Sequence, residues 1–161
     1  MGKLRVLQYG CGKMSKYTMR YVYEKGGEIV GAIDVNPCVI GSDIGKIMEC
    51  SDKGVIVDSV DKAREVIERT KPDVCIITTM SLLSDIEAAM VLCADMGVNA
   101  ITTCEEAFYS WNSNPNLTEK IDKLAKENNC TITGSGYQDI FWGQLITSIC
   151  GDTQSIKRIV G

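Results

Sequence analysis

The chain has no histidine among its 161 residues. That absence removes the commonest base for activating a serine or cysteine nucleophile and the commonest nitrogen ligand for zinc. No Cys-x-x-Cys pair occurs either, so neither a zinc nor an iron–sulfur centre is expected, and no metal site of another kind is expected. No apolar run approaches the roughly 20 residues of a membrane-spanning helix. A basic excess is also missing: 17 Lys and Arg stand against 21 Asp and Glu, for a net charge of −4. An acidic balance argues against a nucleic-acid backbone as partner. The first residues lack the layout of a secretion signal, because their apolar run is short and passes directly into a glycine turn.

Eight cysteines are present: Cys11, Cys38, Cys50, Cys75, Cys93, Cys104, Cys130 and Cys150. An even number invites a disulfide framework. The chain is nevertheless long enough to bury a core, and several of these cysteines sit inside apolar runs. Free thiols acting as small buried hydrophobes are expected instead, and with them a reducing cytoplasm.

The most informative stretch covers the first 36 residues. An apolar run, Leu4 to Tyr9, meets Gly10-Cys11-Gly12-Lys13-Met14-Ser15; a helical pattern follows, then Gly26-Gly27 and a second apolar run from Ile29 to Ile33 that ends at Asp34. Strand, glycine turn, helix, strand and acid are what a dinucleotide requires in that order. The first glycine allows a sharp exit from the strand, and the second leaves bare backbone where a pyrophosphate approaches. The helix then aims its free N–H groups and positive dipole end at the phosphates. Asp34 lies 22 residues after Gly12, where a carboxylate can accept from the adenine-ribose hydroxyls. Ser15 replaces the third glycine, at a position that needs a small residue. The same carboxylate repels the 2′-phosphate of NADP, and Val35, Asn36 and Pro37 offer no cation to receive it. NAD is thus the preferred cofactor, with NADP possible if Lys46 reaches the site.

Further along, strands alternate with helices. Met14, Tyr17, Thr18, Tyr21 and Val22 mark the face of the first helix. Val55–Val57 reads as a short strand, and Ala63, Val66, Ile67 and Thr70 line a helix that Pro72 ends. Val74-Cys75-Ile76-Ile77 has the unbroken apolar character of a strand buried on both faces. Ser84-Asp85-Ile86-Glu87 has the form of a capping box, opening a helix with Leu83, Ile86, Met90 and Cys93 inward. Asn99–Thr102 and Thr131–Thr133 are further strands, and Asn114-Pro115 opens the helix between them. A last helix is expected from about Asp139 to Cys150. The fold class is therefore α/β: a doubly wound parallel sheet of Rossmann type, about six strands with helices on both faces. Residues 1–152 form the nucleotide-binding domain. Residues 153–161 begin a strand leading to a substrate or oligomerisation domain absent from this chain.

In such a sheet the ligand lies at the C-terminal strand edge. Thr78 and Thr79 end one strand, and Cys104 follows the next. All three can line the nicotinamide end of a cofactor, the threonines doubling as helix caps. With no histidine to activate it, Cys104 reads as a passive wall rather than a nucleophile. Glu105 and the strand exit Gly134-Ser135-Gly136-Tyr137-Gln138-Asp139 supply polar groups for a small polar substrate. Asp139 can also serve as a helix N-cap.

The glycine turn, the Ala32–Pro37 and Gly41–Ile47 segments, the Thr78–Ser81 strand end, and the Thr103–Tyr109 and Thr133–Trp142 segments carry a resemblance. Together they are similar to the dihydrodipicolinate reductase-like superfamily, and within it to the 2,4-diaminopentanoate dehydrogenase family, whose members are about twice as long. The resemblance implies an NAD(P)-dependent oxidoreductase acting on CH–NH2. Its reaction would be oxidative deamination of the 4-amino group of 2,4-diaminopentanoate to 2-amino-4-oxopentanoate and ammonia, a step of ornithine fermentation. It also implies a small amino-acid substrate and a homo-oligomer in the full-length form. Gly10, Gly12, Lys13 and Met14 would lie under the pyrophosphate, Asp34 at the ribose, Thr78, Thr79 and Cys104 at the nicotinamide, and Tyr137, Gln138 and Asp139 at the substrate. Asp139 or Glu105 could attract the substrate ammonium. The superfamily's histidine-rich catalytic motif has no counterpart here, so the catalytic acid or base stays unassigned and is expected beyond Gly161. Two other readings remain open: an imine or enamine reductase of the same superfamily, and a non-catalytic NAD-binding sensor.

Overall fold

The apolar run at the N-terminus becomes the central strand, β1 (Arg5–Tyr9). On one side of it lie β2 (Glu28–Asp34) and then β3 (Val57–Ser59); on the other lie β4 (Val74–Ile77), β5 (Asn99–Thr102) and β6 (Ile132–Gly134). Every neighbouring pair is parallel. This is the expected doubly wound sheet, with its order reversing direction at β1. The computed structural model describes residues 2–158, with backbone alone at 137–140 and 142.

Two cores flank the sheet. One is built from α3 (Ala63–Thr70), α4 (Glu87–Asp95) and α5 (Pro115–Glu127) against Leu7, Ile33, Cys75, Ile77 and Ala100. The other joins α1 (Ser15–Glu24) and the short α2 (Ile44–Ile47) to Val6, Ile29, Ala32 and Val57. The predicted inward residues of α3, Ala63, Val66, Ile67 and Thr70, are all buried, as are Leu83, Ile86, Met90 and Cys93 around α4. Among the described residues, no helix is long and apolar enough to cross a membrane.

Several local expectations are corrected. The buried face of α1 is Ser15, Met19 and Val22, whereas Met14, Tyr17 and Tyr21 are exposed. Ser15 must sit on the sheet for the helix to leave the glycine turn, and this rotates the tyrosines outward. There, Tyr17 and Tyr21 edge a hollow of about 470 Å³ floored by Ile76 and Ile101. For the same reason β4 is not buried on both faces: Cys75 and Ile77 are covered, Val74 and Ile76 only partly. The strand expected at Val55–Val57 starts at Val57, because Ile56 is taken by an antiparallel bridge to Asp43. No capping box forms at Ser84. Leu83–Ile86 is a tight 3-10 turn, and α4 begins at Glu87 with no side-chain cap. The last helix, α6 (Tyr137–Gly151), starts two residues earlier than expected, with Gly136 at its N-cap position, so Asp139 is not the cap. Residues 155–158 are not in a strand; the remainder of that expected strand lies outside the described residues.

Candidate functional site

β1 delivers the chain to Gly10 with φ +91°. A Cβ at this position would stand 2.5 Å from Thr79 Cγ2 and 2.7 Å from the Thr78 carbonyl oxygen. Only glycine combines that backbone with that approach. Gly12 differs: a Cβ added there would meet nothing within 4 Å, so bare backbone faces open space. The Ser15 hydroxyl donates to the Gly12 carbonyl at 2.7 Å, and its side chain is fully buried. Serine in place of the third glycine therefore packs the helix against the strand and also ties the turn.

Asp34 ends β2 beside this turn. One carboxylate oxygen accepts from the backbone N–H of Cys11, and the other from that of Asn36 at 2.7 Å. A carboxylate offers about four acceptor positions, so these bonds aim the group and still leave room for hydroxyl donors. The Cys11 thiol is buried, and loss of solvation, followed by the nearby Asp34 charge, pushes its pKa up to about 12. It is a packing group at any physiological pH. No side chain caps α1, and its first turn carries no acidic residue. Its positive end is thus free of a competing carboxylate.

A feature the sequence reading passed over holds the turn in place. Gln8, fully buried in the middle of β1, donates from Nε2 to the Gly10 carbonyl and to Thr78 Oγ1, both at 2.8 Å. Thr18 Oγ1 donates to Gln8 Oε1 at 3.1 Å, and Thr78 Oγ1 donates to the Gly10 carbonyl at 2.9 Å. The signal was available: Gln8 is the one polar residue between Val6 and Tyr9. Thr78 is buried with its hydroxyl committed to this network, while Thr79 is exposed at the strand end.

At the β5 exit, Cys104 is buried, and its Sγ donates to the Ser81 carbonyl at 3.0 Å. Burial raises its pKa, which fits the passive role. Glu105 is exposed, held below the usual carboxylate range mainly by the Ser81 hydroxyl. Its neighbour Glu106 accepts from the Leu83 N–H at 2.7 Å and so ties the loops after β4 and β5 together. Gly134 at the β6 exit lies so close to the Ala107 backbone that a Cβ would collide with it. Tyr137, Gln138 and Asp139 form the first turn of α6; their side chains lie outside the described residues.

Beside the glycine turn is a cavity of about 480 Å³, lined by Gly12, Lys13, Lys16 and Asn36 together with Val39 and Ile47. Lys46, the cation on which NADP use was made conditional, does not line it. A second hollow of about 340 Å³ lies beyond β6, against α5 and the loop through Trp111, on the far edge of the sheet from the glycine turn.

No family model matches the chain. Over 138 residues it is 29% identical to 2,4-diaminopentanoate dehydrogenase from Acetoanaerobium sticklandii, covering 84% of this chain and 38% of that protein. The structure of an amine dehydrogenase from Mycobacterium smegmatis superposes with a TM-score of 0.91 at 38% identity, covering 96% of this chain and 46% of that one. The fold also matches the WlbA dehydrogenase from Thermus thermophilus, in complex with NAD and alpha-ketoglutarate, with a TM-score of 0.72 at 12% identity over 94% of this chain and 48% of that one. The chain spans less than half the length of these relatives.

Proposed function

We propose, from the premise that this chain is a Rossmann-type domain of the amine and diaminopentanoate dehydrogenase kind, that it binds a nicotinamide dinucleotide for oxidation of a CH–NH2 group. The observation that carries the reading is the glycine turn. Gly10 is compelled by its φ and its neighbours, Gly12 leaves open ground beside the backbone, and an uncapped helix end follows. Gly10, Gly12, Lys13 and Met14 would hold the pyrophosphate by backbone N–H groups and charge. Asp34, already aimed by two backbone donors, would accept from the adenine ribose. Thr79 and the Cys104 wall would border the nicotinamide end, with the Gln8 and Thr78 network keeping the turn rigid beneath it.

In the whole protein the substrate class is a small amino acid bearing an amine, and the specific reaction is deamination of 2,4-diaminopentanoate at its 4-amino group. A bound nicotinamide supplies the hydride acceptor for that C–N oxidation, and water then releases ammonia to leave 2-amino-4-oxopentanoate. Glu105 is exposed and held ionised well below neutrality, which suits it to attract an ammonium group. Tyr137, Gln138 and Asp139 stand at the β6 exit on the same sheet edge. NAD is the preferred cofactor, since Asp34 opposes a 2′-phosphate and residues 35–37 supply no cation.

Calorimetric titration of the chain with NADH and NADPH tests this reading. NADH should bind more tightly, and Asp34→Asn should weaken NADH by about tenfold, the scale of a charged hydrogen bond. Because Asp34 also braces the turn, Asp34→Ala run in parallel should lower the melting temperature as well. Binding of neither nucleotide by the wild type would refute the reading.

A further inference from the structure

The cavity beside the glycine turn carries more charge than a site for adenosine needs, and that charge is arranged. Lys13 and Lys16 face it from the turn and from α1, and Glu49 closes it from the end of α2. Lys16 Nζ lies 2.9 Å from Glu49 Oε1, and an Arg20 guanidinium nitrogen lies 3.5 Å from Glu49 Oε2. Arg20 is itself fixed by donating to the Met48 carbonyl from Nε, at 2.9 Å, and from a terminal nitrogen. Glu49 occupies a left-handed backbone position, φ +56°, of the kind that glycine or asparagine takes just after a helix. Its carboxylate is held ionised by the Lys16 ammonium.

Resting on the dinucleotide reading above, we infer that Glu49 is a specificity-determining residue, a second carboxylate that with Asp34 disfavours a 2′-phosphate. The two act differently. Asp34 stands at the ribose hydroxyls and repels directly. Glu49 acts by occupying Lys16, a cation that lines the cavity with its side chain 24% exposed. While that pair is intact, a phosphate entering the cavity meets a neutralised ammonium and a nearby carboxylate. With Glu49 uncharged, Lys16 joins Lys13 to make a cation pair beside the turn, and a phosphorylated ribose gains what it lacked. Dinucleotide specificity in this chain is then set by two carboxylates, and Glu49, two positions after α2, matters although it lies 15 positions beyond Asp34.

The test is calorimetric titration of wild type, Glu49→Gln and the double variant Lys16→Met/Glu49→Gln with NADH and NADPH at low ionic strength. Glu49→Gln should lower the NADPH-to-NADH Kd ratio about fivefold, the scale of one exposed ion pair. The double variant should return the ratio to near the wild-type value, and added salt should erode the effect. A wild type that binds NADH while Glu49→Gln leaves the ratio unchanged would overturn the role of Glu49 alone. A double variant that keeps the full gain would equally overturn it, since Lys16 would not be the receiving group. A wild type that binds neither nucleotide would remove the dinucleotide reading, and the role of Glu49 with it.

Discussion

At the scale of single residues, the site depends on one polar side chain in an apolar strand. Gln8, itself fully buried, makes two buried donor bonds and accepts one that is partly buried. Removing such a group strands its partners without water, which costs about 1–3 kcal/mol for the polar groups left unpaired. Gln8→Leu, similar in size, should therefore lower stability by about 2 kcal/mol in urea unfolding. It should also weaken dinucleotide binding, because the Gly10 carbonyl and the Thr78 hydroxyl lose their common anchor. If binding were unchanged at full occupancy of the folded state, the network would be structural only. The thiols behave in the opposite way. Cys11, Cys75, Cys93 and Cys104 are buried and Cys38 and Cys50 exposed, so alkylation of the native chain at pH 8 should label the exposed pair and spare the buried four. Labelling of Cys11 or Cys104 at the same rate as Cys38 would contradict the burial that makes them packing groups.

At the scale of elements, the loop that carries α2 is closed by one carboxylate. Asp43 accepts from the N–H groups of Gly45, Lys53 and Gly54 at 2.7, 2.8 and 2.7 Å. These bonds, that from Lys53 foremost, hold its pKa below the ordinary value. A group whose folded pKa is depressed stabilises the fold above its unfolded pKa, and that stabilisation fades as pH falls through the folded value. Asp43→Asn should thus be less stable than wild type at pH 7, by about 2 kcal/mol, and the gap should close below about pH 4. A gap independent of pH would mean that the loss comes from the lost acceptor oxygen and that charge plays no part. The elements themselves were legible in the sequence where period and punctuation agree: α3, β4, α5 and the βαβ unit ending at Asp34 all form where they were read, although the buried faces of β4 and α1 differ. The misreadings share a cause. Met14, Tyr17 and Tyr21 keep helical spacing, yet spacing does not say which stripe meets the sheet; the packing of Ser15 does. Ser84 and Glu87 have the capping pattern, yet the chain after β4 tightens into a 3-10 turn because Glu106, far away in sequence, holds the Leu83 N–H. Gln8 and Glu49 share this difficulty, since their meaning lies in partners 10 to 70 residues away.

At the scale of the whole molecule, the two cores differ in extent. The α3–α5 side is covered along most of the sheet, whereas the α1 side covers β4 only partly, through Val74 and Ile76, and leaves Ile101 beside the Tyr17 and Tyr21 rim. In α6, Phe141 and Ile149 are 44% and 56% exposed. The all-parallel order has a consequence in time. β1 precedes the other strands of the sheet, but its neighbour β4 begins 65 residues after Tyr9, and the hydrogen bond from Thr78 to Gly10 spans 68 positions. Pairings of such long range fold slowly, because the intervening chain must first be gathered in. A nascent chain that has emerged only as far as Asp34 already has every residue of the glycine turn. It lacks the strand against which that turn is bent, so the glycine turn is written well before it can be shaped.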